Sequence, residues 1–241
     1  MNTSRKFVPW GQPFVQRVAE SVSAEAQPLL GGRVLDLSKI VCVFPASRPL
    51  RSFQQQLILG AKALGATVQM PKLLTVGSLP EYLLCSELSP LDDVMARLFW
   101  VQALKEVAEE DLAILYKNQA LPDSFSSWFA LADFCARFVS ETASGAFDIR
   151  ELDSERMDCL SEEELSRWNV ISSLAHQYDS LVKESGFVDK QFGRLTALRT
   201  GAINACPEIH LIGTADINPL TLEFIKRSAG SVCAHIYAPE S

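Results

Sequence analysis

The chain has 241 residues, 48% of them hydrophobic and 21% charged, with 29 acidic against 22 basic side chains. This length and hydrophobic content fit one large domain or a domain with an insertion, and they exclude a disordered chain. The net charge of −7 excludes a uniformly basic nucleic-acid coat. A local basic groove remains compatible with it, because phosphate binding depends on where Lys and Arg lie.

The cysteines are dispersed, and no two lie within four residues of each other. They are Cys42, Cys85, Cys135, Cys159, Cys206 and Cys233. This spacing argues against zinc ribbons and redox pairs, so we interpret most of them as small buried side chains in a reducing compartment. Arg5 and Lys6 are not followed by an apolar run, so we expect no signal peptide, no membrane span and a cytoplasmic location.

The first predicted unit covers residues 7–21 (FVPWGQPFVQRVAES), which read as a short strand, a glycine turn and an amphipathic helix. Nucleotide-binding proteins place a phosphate loop, G-x-x-x-x-G-K-[ST], in this layout. Its backbone amides and lysine hold the phosphates, and its hydroxyl holds magnesium. Here the turn is Gly11, Gln12 and Pro13, with no second glycine and no lysine before Arg17. The sequence therefore predicts the strand, turn and helix without the phosphate-binding chemistry.

The second predicted unit begins with the continuous apolar run Ile40–Phe44, which is typical of a strand covered on both faces. A helix follows, with Ser47 as the expected cap and Pro49 in the first turn. The expected buried stripe is Leu50, Phe53, Leu57, Ala61 and Leu64. Arg48 and Arg51 fall on other faces of this helix, near its start.

The start of this second helix is the main candidate for a binding site. A helix N-terminus at the carboxyl end of a parallel strand offers free amides and a positive dipole end. Ser47, Arg48 and Arg51 add donors that suit phosphate. The spacing alone is more typical of an ordinary capped, solvated first turn.

Almost no strand pattern is found from about residue 81 to residue 205, and helices are predicted instead. The expected apolar stripes are Leu91, Val94, Leu98, Val101 and Leu104 in the first helix, and Trp128, Leu131, Phe134 and Phe138 in the second. A third helix begins with Ser161 and Glu164 in capping-box spacing and ends near Gly186. Asp189 is expected to cap a last helix that reaches about Thr200.

Ser173, His176 and Asp179 in the third helix resemble a catalytic set by residue type alone. They lie at three-residue steps on one helix, whereas a nucleophile normally lies at a turn and receives its base from another element. We therefore interpret these three residues as part of a solvated helix face.

The last predicted unit consists of a strand at residues 209–212, a helix that starts at Asn218 and Pro219, and a strand at residues 232–237. Gly230 is the expected C-terminal cap of the helix. Strands that alternate with helices predict a parallel sheet with helices on both faces. Residues 1–85 and 206–241 are therefore expected to form an α/β core, and residues 86–205 a helical insertion.

A second nucleotide motif, an apolar strand that ends in a magnesium-ordering Asp, is also missing. The strand ends in Ile212 and Gly213, and Asp216 comes later, where it is expected to shape the turn. Two missing motifs point to a retained fold without hydrolysis. His210 and His235 flank strands in different units and have no third ligand by spacing, so we interpret them as buried or edge histidines and expect no metal site.

Six segments carry a resemblance to a known family by their order along the chain. They are VPWGQPFVQRVAESV (8–22), VCVFPASRPLRSFQQQL (41–57), LLTVGSL (73–79), RLFWVQAL (97–104), LVKESGFVDKQFGRLTAL (181–198) and IHLIGTADINPLTLEFIKRSAG (209–230). In this order they resemble the N-terminal part of AddB-type double-strand-break repair proteins. These are helicase-like, exonuclease-bearing subunits that partner an AddA-type helicase.

The resemblance implies a P-loop, superfamily-1 helicase-like parallel sheet with a helical insertion and a degenerate phosphate loop. The degenerate nucleotide site would consist of Gly11, Gln12, Pro13, Ile212, Gly213 and Asp216, with Ile212 in place of the acid. Ser47, Arg48 and Arg51 would contact DNA. The expected partners are DNA ends and an AddA-type helicase subunit, with no cofactor and no catalytic residue in this part of the protein.

The chain ends four residues after Tyr237, directly behind a predicted core strand. We therefore expect the sequence to be the front part of a longer protein whose nuclease, with any iron–sulfur cysteines, lies beyond Ser241. Two other interpretations stay open at this stage. One is a divergent P-loop hydrolase or kinase, and the other is a protein-interaction module that binds no nucleic acid.

Overall fold

The computed structural model describes residues 2–29, 33–86, 88–115, 122–151 and 160–239. It divides into two compact units. Unit 1 consists of Met1–Leu84 and Ile203–Ser241, and unit 2 of Cys85–Ala202. The boundaries expected from the sequence lay after residues 85 and 205. Cys159 lies outside the described residues.

The described strands and helices are as follows. The strands are β1 (Asn2–Pro9), β2 (Gln27–Leu29), β3 (Val34–Asp36), β4 (Ile40–Phe44), β5 (Thr67–Gln69), β6 (Lys72–Thr75), β7 (Ser89–Pro90), β8 (Phe187–Val188), β9 (Cys206–Ile212) and β10 (Ala229–Ala238). The helices are α1 (Phe14–Ser23), α2 (Ser47–Ala63), α3 (Leu79–Leu83), α4 (Asp93–Lys105), α5 (Glu109–Leu115), α6 (Phe125–Ser144), α7 (Glu162–Glu184), α8 (Lys190–Thr200) and α9 (Pro219–Ser228). Short 3₁₀ turns cover Val76–Ser78 and Ile149–Glu151.

Unit 1 is built on a five-stranded sheet in the order β1-β10-β9-β4-β6. Every neighbouring pair in this sheet is parallel. This confirms the predicted α/β class with a parallel central sheet. A second, smaller sheet in the order β2-β3-β5 was not predicted.

Strand β4, in the interior of the central sheet, is buried on both faces. All five residues of β4 are buried, and because side chains alternate along a strand, helices or loops must cover both sides. On one face the core joins Val8 and Ile212 of the sheet to Val18 of α1 and to Phe53 of α2. The continuous apolar run at residues 40–44 predicted this double coverage correctly.

Unit 2 is helical apart from the short parallel pair β7 and β8, within the described residues. Helix α4 packs against both α6 and α7, and Trp100 stacks on Tyr178 with ring centroids 4.0 Å apart. The predicted stripes are wrong in part, because Val94, Leu98 and Phe134 are exposed.

Three local expectations in unit 1 are corrected by the structure. Ser47 is the first residue of α2 rather than its cap, and Ala46 at the cap position makes no side-chain hydrogen bond. Leu64 follows the helix end and is 72% exposed instead of buried. Gly230 lies inside β10 and does not cap α9, which ends at Ser228.

Three predicted helix caps are confirmed. Ser161 and Glu164 form a capping box at the start of α7. The Asp189 carboxylate accepts backbone hydrogen bonds at the start of α8, and Asn218 caps α9. None of the helices in the described ranges is long and apolar enough to cross a membrane.

Candidate functional site

The carboxyl ends of all five central strands lie along one edge of the sheet, called here the carboxyl edge. Open parallel sheets place their ligands at this edge. Strand β10 lies between β1 and β9, so the ends of β1 and β9 are two strand spacings apart, about 10 Å. This arrangement brings the turn after β1 and the end of β9 to neighbouring positions.

The turn after β1 closes on itself, since the Gln12 amide donates to the Pro9 carbonyl at 3.1 Å. Gly11 has no positive φ, and a Cβ there would meet nothing within 4 Å, so the turn does not require glycine. Arg17, the first basic residue after the turn, pairs with Glu20 at 2.9 Å.

An aromatic ring covers the ends of β9 and β10. Gly213 has φ 62, and a Cβ added to it would lie 3.1 Å from Cε1 of Phe14. The Phe14 ring also packs on Tyr237, with ring centroids 5.3 Å apart. An aromatic ring offers no hydrogen-bond donor or positive charge to a phosphate group, so this surface is unsuited to nucleotide phosphates.

The end of β9 provides no magnesium ligand. Ile212 is 1% exposed and belongs to the apolar core of unit 1. Asp216 is exposed, and within the described part of the chain it has no hydrogen bond, no ion pair and no place in a group of potential metal ligands. The expected turn-shaping role belongs to Asn218, whose side chain accepts from the Thr221 amide at 2.8 Å.

The start of α2 presents the predicted phosphate donors to solvent. Ser47, Arg48 and Arg51 are all exposed. The first turn of α2 contains no acidic residue, and among the described residues no carboxylate pairs with either arginine. The structure therefore brings these three residues together as free donors at one helix start.

Sequence reasoning missed the exposed aromatic side chains near the carboxyl edge. Trp10 is 58% exposed in the turn after β1, and Tyr237 is 48% exposed near the end of β10. A tryptophan directly before the turn glycine was the only signal in the sequence, because exposure depends on which face of the strand the core covers.

The residues Ser173, His176 and Asp179 do not form a catalytic set. Asp179 is buried and pairs with Arg150 and Lys183 at 2.7 Å each, so the predicted solvated face is wrong for this residue. Nε2 of the exposed His176 lies 2.7 Å from the Arg150 carbonyl oxygen. This backbone contact within unit 2, and not a nucleophile, holds the imidazole ring.

A histidine–cysteine cluster (His210, Cys233 and His235) lies inside unit 1. Cys233 pairs with His210 across β9 and β10, and His235 follows two residues later on the same face. Nδ1 of His210 lies 3.0 Å from Nε2 of His235, which lies 3.6 Å from Sγ of Cys233. Both histidines are buried, as expected, but they lie on neighbouring strands of one sheet and not in different units, and Cys233 is a potential third ligand beside them.

Two carboxylates and a lysine surround this cluster. Nε2 of His210 faces the carboxylates of Glu208 at 3.1 Å and Glu25 at 3.3 Å. Lys6 pairs with Glu25 and donates to Ser21. Burial alone would lower the pKa of Lys6, but the hydrogen bond and charge of Glu25 raise it above its ordinary value.

Burial also acts on the histidine that faces Lys6. Burial first, and then the neighbouring His210 and Lys6, lower the pKa of His235 to about 3. His235 is therefore neutral at physiological pH and keeps a nitrogen lone pair.

No model of a known protein family matches this chain. A comparison with curated proteins finds no match either.

Proposed function

We propose that this chain is a catalytically silent, helicase-like domain of a DNA end-processing helicase–nuclease, and that it binds DNA and a partner helicase as a scaffold. One observation carries the proposal. At the carboxyl edge, an aromatic ring and a buried aliphatic side chain stand where nucleotide chemistry needs a lysine and an acid. Two unpaired arginines stay exposed at a helix start on the same edge. The AddB-like order of segments supports the same function.

The helix start of α2 suits a nucleic-acid backbone. Free first-turn amides and the guanidinium groups of Arg48 and Arg51 provide positive charge and donors for phosphate oxygens. The exposed ring of Trp10 adds a surface on which a base can stack. A few phosphate contacts give non-specific affinity, with a dissociation constant on the order of 10⁻⁴ to 10⁻⁶ M. The net charge of −7 weakens it, so binding should require low salt.

The test is binding of a fluorescently labelled single strand, followed by anisotropy over a series of salt concentrations. The double variant Arg48→Ala, Arg51→Ala should bind more weakly, and the slope of log K against log salt should fall by about 1.4, or about 0.7 for each lost single-strand phosphate contact. Arg33→Ala, Lys62→Ala is the matched control. It also removes two exposed charges, and Lys62 lies at the opposite end of α2.

The proposal requires the control to bind more tightly than the Arg48, Arg51 variant at the same net charge. If both variants lose the same affinity for the single strand, binding depends on net charge alone and the proposed site at α2 is wrong. Sequence-dependent binding would also contradict it, because phosphate contacts carry no base information.

The same protein should not bind ATP with magnesium at micromolar concentrations. Phe14 covers the strand ends, Ile212 replaces the acid, and no lysine follows Gly11 in the turn. Isothermal titration with ATP–magnesium is the measurement. Micromolar binding, or turnover that a substitution in the β1–α1 turn abolishes, would favour a divergent P-loop hydrolase instead.

A protein-interaction module without nucleic acid is the second candidate. The exposed aromatic side chains Phe7 and Trp10, on the edge strand β1 and directly after it, favour this function, as does the acidic net charge. Absence of single-strand binding by the parent chain at low salt would favour this candidate over the scaffold on DNA.

A further inference from the structure

We propose that His210, Cys233 and His235 form a zinc-binding site that joins β9 to β10 inside unit 1. This proposal does not depend on the function proposed above. The three side chains come from neighbouring parallel strands, and their potential ligand atoms all lie within 4.8 Å of one another. Two imidazoles and one thiol form a donor set typical of Zn²⁺.

Two of the three separations between the potential ligand atoms are close to those around a tetrahedral ion. With Zn–N near 2.05 Å and Zn–S near 2.3 Å, tetrahedral angles place two nitrogen ligands about 3.3 Å apart, and nitrogen and sulfur about 3.6 Å apart. In the cluster, the nitrogen–nitrogen distance between the two histidines is 3.0 Å, and the distance from Nε2 of His235 to Sγ of Cys233 is 3.6 Å. A shift of a few tenths of an ångström in one imidazole would admit the ion.

The groups behind His210 match the second shell of a zinc site. Metal-bound histidines usually donate the other ring N–H to a carboxylate, which fixes the tautomer and directs the free lone pair at the metal. Nε2 of His210 faces Glu208 and Glu25 in this way, so Nδ1 is left to bind inside the cluster. The three ligand residues are 0–5% exposed, so the ion would be held by protein groups inside unit 1.

Charge and access also fit a zinc ion. One thiolate and the two carboxylates balance the ion and the ammonium group of Lys6, which already pairs with Glu25. Binding sends the thiol proton of Cys233 to solvent and moves the ring proton of His235 from Nε2, where it bonds Nδ1 of His210, to Nδ1. His235 lines a cavity of about 320 Å³ together with Lys6, Gln12 and Arg17, which offers an entry route and room for water as the fourth ligand.

The experiment titrates the chelator-treated 241-residue chain with Co²⁺, used as a spectroscopic probe, and then with Zn²⁺. We expect one ion per chain, the absorption bands of four-coordinate cobalt, a thiolate-to-cobalt charge-transfer band, and displacement of cobalt by zinc. Zinc at about 100 times its dissociation constant should raise Tm by about 5–10 °C.

Variants assign the ligands. Cys233→Ser should remove the charge-transfer band, whereas Cys135→Ser, at a buried cysteine of unit 2, should retain it. His235→Gln should lower the affinity by more than tenfold. Glu208→Gln should weaken binding by about 10- to 100-fold and keep the thiolate band, as expected for a second-shell group.

Three results would overturn the proposal. The first is no stoichiometric ion in the folded parent chain, which would leave a hydrogen-bonded histidine pair only. The second is a cobalt complex of the parent without the thiolate band, which would place the ion on the side of Glu25 and Glu208. The third is a band that Cys233→Ser retains. The first two use the parent chain alone, so they decide the matter even if a variant fails to fold.

Discussion

Single side chains decide the chemistry of the carboxyl edge. Phe14 is the first residue of α1, and its ring lies against Gly213, so the space above the end of β9 is apolar. Ile212 completes the core of unit 1 at a position where an ionised acid would be buried without a partner. Burying an unpaired carboxylate is costly, so this core disfavours an acidic side chain at position 212.

Gly230 illustrates how one residue limits the packing of two strands. A Cβ at this position of β10 would lie 2.8 Å from the Pro207 carbonyl oxygen, a backbone atom that cannot rotate away. We expect Gly230→Ala to destabilise unit 1 by about 1–3 kcal/mol. Gly11→Ala is the control, since that Cβ would have open space, and it should be neutral or stabilise by up to about 1 kcal/mol. Equal urea midpoints for the two variants would contradict this.

A buried ion pair in unit 2 predicts a dependence of stability on pH. Arg150 donates to Asp148 at 2.6 and 2.9 Å, and both side chains are almost fully buried. Burial alone would raise the pKa of Asp148, but the hydrogen bonds and charge of Arg150 lower it below its ordinary value. Because the folded pKa is depressed, this stabilisation is present above about pH 4 and is lost as the pH falls through the folded pKa.

The test compares the parent with Asp148→Asn by urea unfolding at pH 7 and at pH 3. At pH 7 the variant should be less stable by roughly 1.5–3 kcal/mol, and at pH 3 the difference should shrink. Tryptophan fluorescence reports mainly on unit 2, which contains Trp100, Trp128 and Trp168, whereas unit 1 contains Trp10. A difference that stays constant over this pH range would mean that Asp148 does not titrate as proposed.

At the scale of elements, the sequence predicts a strand or a helix cap best where neighbouring residues alone determine it. The continuous apolar run of β4 and the caps Ser161, Asp189 and Asn218 needed only neighbouring residues. The buried faces of the unit 2 helices could not be predicted in the same way. Helix α4 packs on two neighbours, so its buried residues do not follow one stripe, and Phe134 of α6 is 52% exposed.

Sites that depend on strand register also cannot be predicted from residues that are neighbours in the sequence. His210 and Cys233 are 23 residues apart in the chain, and only the pairing of β9 with β10 brings them side by side. The donors at the start of α2 could be predicted because they are local to one helix. The cover that Phe14 provides over Gly213 could not, since it requires the position of β9 relative to β1.

The start of α9 offers a test of local capping. Asn218 accepts a hydrogen bond from the Thr221 amide at 2.8 Å and satisfies a first-turn donor of the helix. We expect Asn218→Ala to lower the free energy of unfolding of unit 1 by about 1 kcal/mol, and Asn218→Asp to restore most of it. Chemical denaturation is the measurement. If Asp destabilises as much as Ala, the side-chain cap contributes nothing.

At the scale of the whole molecule, the chain leaves unit 1 and returns to it at one place. Leu84 and Ile203 form an antiparallel bridge, and the Asn204 amide donates to the Leu83 carbonyl at 2.7 Å. Within unit 2, the Cys85 amide donates to the Ala202 carbonyl at 3.0 Å. In each unit, backbone hydrogen bonds therefore join the two points at which the chain crosses to the other unit. This is the arrangement expected of a domain inserted into a loop of another domain.

This closure predicts that either unit folds without the other. Bridged residues of paired strands lie about 4.5–5.5 Å apart at Cα, so two glycines can replace residues 85–202 between Leu84 and Ile203. The shortened chain should give an α/β circular dichroism spectrum and unfold cooperatively, because the five-stranded sheet lies wholly in unit 1. Residues 85–202 alone should be helical and should also unfold cooperatively. A molten or unfolded product from either piece, with the parent chain folded under the same conditions, would show that the core of that piece is not self-sufficient.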